Sequence, residues 1–324
     1  MRSRPRRSWA GLVVAAPFVL GTASAAGTPA DRVFSFRDPA IVEASALVVV
    51  DGLFLTTNDS GDSGRVFAVA RDGQTVGVTH WSSNPTDCEA LAPAGPGAVW
   101  VGDIGDNLAE RSTVSITRVP VGRGDRTVQP TTYRLTYPDG AHDAETLLRN
   151  PDTGRLYLAT KGLFGGAVYA VPARLSATEV NPLRKLGQVL PVATDGSFFP
   201  DGRHLVVRDY TSATVYDWPS LHEVGSFPLP AQRQGEGIAV AADGSVYVSS
   251  EGPRAPVLRV PLPRDVRRAL APSTPSPSSS PGSSAPSEPG AGGADTTRSA
   301  WPWAVGSLLA LGALLVLLRA LRPR

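Results

Sequence analysis

One short pattern occurs five times along this 324-residue chain, and it restricts the fold more than any other feature. It reads E-A-S-A-L at 43–47, D-C-E-A-L at 87–91, D-A-E-T-L at 143–147, D-G-S-F-F at 195–199 and Q-G-E-G-I at 234–238. The middle residues, Ser45, Glu89, Glu145, Ser197 and Glu236, are spaced 44, 56, 52 and 39 residues apart. A repeat of this period, built from strand-like pieces, predicts a β-propeller. Equivalent residues of each blade then converge on one axis, so five scattered oxygen side chains become one ring.

Each repeat continues alike. An Asp-Gly or Pro-Gly turn follows the pattern, as at Asp51-Gly52, Pro96-Gly97, Asp201-Gly202 and Asp243-Gly244. Such residues tolerate the left-handed backbone of a tight hairpin. Alternating β-branched and aromatic strands come next, for example L-Y-L-A-T at 156–160 and V-Y-V-S-S at 246–250, and no amphipathic helix is predicted in this region. The fifth repeat stops after its third strand near Pro263, whereas R-V-F-S-F at 32–36 belongs to no repeat. That segment is expected to complete the last blade and close the ring, which removes open sheet edges. From Asp31 to Pro263 is 233 residues, about 47 per blade for five, near the usual ~40–50. Six blades would leave one without the pattern. The expected fold is an all-β, five-bladed propeller over 31–264, with the apolar fifth positions Leu47, Leu91, Leu147, Phe199 and Ile238 packed between blades.

The two ends read differently. Arg2, Arg4, Arg6 and Arg7 precede an apolar stretch and the small-residue run T-A-S-A-A, so 1–26 has the layout of a secretory signal peptide. The Arg6-Arg7 pair leaves general and twin-arginine export both open. Residues 270–300 are Ser, Pro, Gly, Ala and Thr with little that could form a core, the composition of an extended linker. Trp301 to Leu318 then runs eighteen residues without a charge, within the range of a spanning helix. Arg319, Arg322 and Arg324 make 319–324 a basic cytoplasmic tail by the positive-inside rule. The expected arrangement is a single-pass cell-membrane protein with its propeller outside the cytoplasm.

Charge then narrows the partners. The chain is +2 overall, and the signal and tail hold seven arginines and no acid, so the part between them is 2 − 7 = −5. That balance argues against nucleic acid as a partner. Only two lysines, Lys161 and Lys185, stand against 29 arginines, a bias that suggests a GC-rich bacterial genome. The one cysteine, Cys88, excludes an intrachain disulfide and reads as a core filler. A monomer is expected.

Three glutamates meeting in a narrow tunnel repel one another unless something neutralises them. Ser45, Glu89, Glu145, Ser197 and Glu236 offer only oxygen, which suits calcium, magnesium less so, and zinc poorly. A water-filled polar tunnel with partly protonated glutamates is the alternative. The second strands end in Asn58 and Asp59, Asp103 and Asp106, Lys161, Arg208 and Asp209, and Glu251. Of these, Asn58, Lys161, Arg208 and Glu251 are candidates to hold a small-molecule or protein ligand over the metal, and ordinary salt bridges around the opening are the other reading. Asp59 and Asp103 are the candidate catalytic bases. No G-x-S-x-G motif occurs.

This series resembles the five-bladed calcium-activated nucleotidases, or apyrases, whose central calcium is held by Ser, Glu, Glu, Ser and Glu, one from each blade. The similarity covers all five repeats, including V-V-V-D-G-L-F-L-T-T-N-D-S-G after Ser45 and W-V-G-D-I-G-D-N at 100–107. The chain departs where the family's chemistry is expected: Asp103 stands in place of Gly, Asp106 of Lys and Ser60 of Arg. Secreted phytase-like and esterase-like propellers are a looser match. The resemblance implies the fold and a calcium more than it implies nucleotide hydrolysis. Two functions follow as expectations. One is a membrane-anchored ligand-binding module with a structural calcium. The other is a calcium-dependent hydrolase of phosphoanhydrides or phosphoesters, with a lactonase as a weaker variant.

Overall fold

A computed structural model describes residues 30–59 and 61–271 of the chain. The expected signal peptide, spanning helix and tail, nearly all of the expected linker, and Ser60, lie outside the described residues. The strand order confirms a five-bladed propeller. The chain enters through β1 (Asp31–Ser35) and then builds blade 1 from β2 (Val48–Val50), β3 (Leu53–Thr56), β4 (Arg65–Val69) and β5 (Thr75–Trp81). Blade 2 holds β6 (Cys88–Pro93), β7 (Ala98–Asp103) and β8 (Val114–Pro120). The chain then makes β9 (Arg126–Val128), and β10 (Thr132–Thr136) completes the blade. Blade 3 comprises β11 (Ala144–Arg149), β12 (Leu156–Thr160), β13 (Gly166–Ala170) and β15 (Arg184–Val189), with the short β14 (Asn181–Pro182) formed between the last two. Blade 4 is β16 (Asp195–Phe198), β17 (His204–Arg208), β18 (Ser212–Asp217) and β19 (Glu223–Pro228). Blade 5 is β20 (Gly235–Val240), β21 (Val246–Ser250) and β22 (Pro256–Val260), and β1 pairs antiparallel with β22 to complete it, as expected. The innermost strands β2, β6, β11, β16 and β20 touch one another in a closed circle.

Two strands leave their own blades. β9 pairs parallel with β5 of blade 1, and β14 pairs parallel with β10 of blade 2. Each covers an outer edge that would otherwise expose unpaired backbone groups.

The core is five apolar clusters, one in each seam between blades. Leu147, Leu158 and Tyr169 meet Ile116 and Leu135 in the 2–3 seam, and Phe34, Phe36, Phe54 and Tyr247 meet in the closing 5–1 seam. Leu47, Leu91, Leu147 and Ile238 all pack in the seam with the preceding blade, whereas Phe199 packs forward against blade 5. One helix was not foreseen: α1 (Arg264–Ala269), which presses Val266 into the 4–5 seam against β19. Six residues with one buried apolar position carry no helical periodicity to read.

Candidate functional site

The first residues of the innermost strands and the loops after the second strands share one end of the tunnel. How the glutamates reach it was not legible in the repeat. The pairing register slips between Cys88 and Ala90 in blade 2, Ala144 and Thr146 in blade 3, and Gly235 and Ile238 in blade 5. Glu89, Glu145 and Glu236 therefore sit at β-bulges. A bulge re-aims the side chain of its extra residue, and all three glutamates are buried at the mouth. The innermost pair of blade 4 has no bulge; Asp195 to Phe198 pair in unbroken register with β17.

Ser197 consequently does not join the ring. It pairs with Val206, and its hydroxyl accepts a hydrogen bond from the Val240 amide at 3.3 Å. It lines an apolar hollow of about 270 Å³ with Leu91, Leu147 and Phe198 at the far end of the axis. Asp195 is the axial residue of that blade. Its Oδ2 accepts from the amides of Ile238 at 2.8 Å and Leu47 at 3.4 Å, in the fifth and first blades. Burial pushes its carboxyl well above the usual range, against the pull of these backbone donors. Ser45 donates to the Cys88 carbonyl at 2.9 Å, tying blade 1 to blade 2. The five predicted oxygens thus do not form one symmetric ring.

The structure instead gathers Asp59, Asp87 and Glu89, with one carboxyl oxygen of each within 4.8 Å of the others. Only Glu89 of these was a predicted metal ligand. Asp59 was a predicted catalytic base, and Asp87 stood at the first position of its repeat. Gly105 makes the approach possible, because a Cβ there would come 2.8 Å from Glu89 Cγ. Burial raises the Asp87 carboxyl to about 7, helped by repulsion from Asp59, to which it also hydrogen-bonds. Burial, then repulsion from Glu145 and Asp59, raises Glu89 to about 11. Three carboxyls this close cannot all ionise without a cation.

Glu145 stands beside this cluster. One oxygen, Oε1, is ion-paired with Lys161; the other, Oε2, is buried with no hydrogen-bond partner among the described residues. Burial holds its carboxyl well above the ordinary range even with Lys161 beside it. Burial opposes the charge on Lys161, but Glu145 outweighs it and drives the ammonium upward. Lys161 also lies 5.3 Å from the Tyr210 ring centre. Glu236 and Glu251 are each raised to about 7, first by burial; Lys161 and Arg208 restrain Glu236, and Glu236 itself repels Glu251.

The remaining predicted residues have structural partners. Arg208 is fully enclosed, and its guanidinium donates to the carbonyls of Asp209 (2.9 Å), Gly237 (3.1 Å) and Ser249 (3.3 Å) and to Gln232 (3.1 Å). Burial brings it down to about 10, with Glu236 and Asp195 opposing. It is a post inside the tunnel wall, which corrects its assignment to the ligand surface. Asn58 is likewise buried. It accepts from the Val42 and Glu43 amides and donates to the Ala40 carbonyl and Asp62, so it fastens the entry loop instead of facing a ligand. Asp103 pairs with Arg111 at 2.9 Å and accepts from the Asp87 amide at 2.9 Å; it positions Asp87. Asp106 caps the loop that follows, accepting from the Glu110 and Arg111 amides. Cys88 is buried, and burial pushes its thiol up, as expected of a core filler.

The fold and site therefore define a five-bladed propeller with an acidic, oxygen-only mouth. No protein-family model matches the chain, and no curated protein matches it. Among solved structures, hydrazine synthase from Kuenenia stuttgartiensis is 15% identical, with 65% of this chain and 56% of that one covered and a TM-score of 0.38. The chain thus spans little more than half the length of that protein. A putative oxidoreductase (glucose dehydrogenase) from Thermus thermophilus is 12% identical over 72% of this chain and 100% of that one, TM-score 0.41. A putative 6-phosphogluconolactonase from Bacteroides uniformis is 13% identical over 68% of each chain, TM-score 0.38. The resemblance to calcium-activated nucleotidases reduces to the five-bladed fold. What the chain does has to be argued from its own residues.

Proposed function

We propose that the protein is a membrane-anchored propeller, exposed outside the cytoplasm, whose mouth binds a hard divalent cation, calcium in the first instance, and through it a ligand. The observation that carries this reading is the convergence of Asp59, Asp87 and Glu89 beside Glu145 Oε2, which has no hydrogen-bond partner among the described residues. The donor set is oxygen only, and a calcium ion takes 6–8 oxygens from carboxylates, carbonyls and water. A bound cation would offset the burial and the mutual repulsion that raise the Asp87 and Glu89 carboxyls. Exposed apolar side chains at the same end favour a binding role. Leu108 and Leu163 are 77% exposed and Phe164 fully so, on the loops after β7 and β12. Large exposed apolar residues near an opening are suited to contact a partner. The hydrolase reading loses an anion-binding residue, because Arg208 is enclosed.

Thermal unfolding of the full-length protein in calcium, in magnesium and in chelator tests this. Calcium at a hundred times its dissociation constant is expected to add about 2.7 kcal/mol, and Glu89→Gln with Asp87→Asn is expected to abolish the gain. An unfolding midpoint indifferent to calcium, with no metal found by elemental analysis, would overturn the reading.

A further inference from the structure

We infer a second site, for a phosphate-bearing ligand, at the seam where the ring closes. The groove there is about 620 Å³, runs along β1 and shares no lining residue with the acidic mouth described above. Arg32, Arg37 and Arg254 line it, and Asp72 is its only acid. Asp72 has one oxygen committed to its own turn, accepting from the Gln74 amide at 3.0 Å. None of the three guanidinium groups is ion-paired among the described residues. Three cations thus face one carboxylate in a part of the chain whose overall charge is −5.

The arginines come from two parts of the chain, the segment at 32–37 and the turn that holds Arg254, brought together by backbone contacts. Arg32 lies on β1, beside a bulge between Arg32 and Phe34. Arg37 follows β1, and its amide donates to the Gly73 carbonyl at 2.9 Å, pinning blade 5 to blade 1. Gly73 has a φ of 86°, and any Cβ there would collide with the Ser35 carbonyl, so the hairpin of blade 1 lies directly on β1. Arg254 sits in the turn between β21 and β22 with a φ of 57°. A long side chain rarely adopts that conformation, which favours Gly or Asn. A strained arginine at the rim of a groove that holds two more is the feature that a purely structural turn does not need.

The chemistry points to phosphate. A planar guanidinium offers paired donors that match phosphate oxygens two at a time, and three of them suit a group with several charged oxygens. The groove's volume of about 620 Å³ is larger than a single anion needs, so either a small phosphate compound or a phosphate-linked polymer would fit.

The test is calorimetric titration of the full-length protein, in chelator so that no metal bridges phosphate to the mouth. Inorganic pyrophosphate and long-chain polyphosphate are the two probes. Saturable binding is expected, weakened about tenfold by Arg32→Gln with Arg254→Asn, and falling with added salt. Asn is chosen at 254 because it tolerates the left-handed backbone. Binding of pyrophosphate points to a small ligand; binding of polyphosphate alone points to a polymer. No saturable binding of either probe up to about 10 mM, or binding that the double variant leaves unchanged while its unfolding midpoint is intact, would overturn the proposal.

Discussion

At the scale of single residues, the mouth is governed by one unequal contest. Asp59, Asp87, Glu89, Glu145, Glu236 and Glu251 act on one another, and Lys161 is the cation paired directly with one of them. Lys161 neutralises one oxygen of Glu145 and leaves the other without a partner. Removing one member of a buried pair strands the other charge, typically at a cost of roughly 3 kcal/mol or more. Lys161→Met should therefore lower stability by about 3 kcal/mol in chelator at neutral pH, measured by urea denaturation. Glu145→Gln added to it should restore most of that loss, because no charge is then left stranded. If Lys161→Met alone were neutral, Glu145 would already be uncharged, and its pairing with Lys161 would not be an ion pair. The same variant should bind calcium more tightly, since the metal would no longer compete with an attached ammonium.

At the scale of elements, the repeat was legible because its period is set by blade size. Turns at Asp-Gly and alternating strands marked each hairpin, and the orphan segment at 32–36 marked the closure. What could not be read was register. Glu89, Glu145 and Glu236 point into the mouth because of bulges, and a bulge is a difference of one residue in pairing, with no residue type of its own. D-G-S-F-F looked like the other four patterns, yet without the bulge Ser197 turned toward blade 5 and Asp195 took the axis. Asp87 was visible as an acid, but its place beside Asp59 depends on Gly105, nearly twenty residues on. The strand that closes the ring also makes the clearest prediction at this scale. Phe34 is buried, with its ring 5.0 Å from Phe54 and 5.7 Å from Phe36 in the seam between the last blade and the first. Phe34→Ala should cost about 3–5 kcal/mol, far more than truncating an exposed strand residue. Its effect should appear in the folding of the whole ring, as one lowered cooperative transition followed by circular dichroism. A separate early transition confined to blade 5 would show that closure is not shared by the ring.

For the whole molecule, the buried acids give stability a direction with pH. Asp87, Glu236 and Glu251 are raised to about 7, burial being the first cause in each, while the same groups in an unfolded chain titrate near 4. Between those values the native state holds protons that the unfolded state has released, so stability falls as pH rises through that window. The depressed carboxyls, Asp62, Asp139, Asp201 and Asp243, act in the opposite sense, but at more acid pH, where their unfolded forms begin to take up protons. The two sets therefore separate along the pH axis. In chelator, the unfolding midpoint should drop between pH 5 and pH 7.5, by on the order of 5 °C, and Glu251→Gln should flatten the decline. Saturating calcium should reverse it, because the carboxylates that repel one another at pH 7.5 are then the ligands the cation requires, and calcium should do little at pH 5, where protons occupy them. A midpoint that instead rises from pH 5 to pH 7.5 without metal would mean that Lys161, Arg111 and Arg208 already neutralise the mouth. The protein would then have no need of a cation, and the case for a metal-linked ligand at this end of the propeller would fall with it.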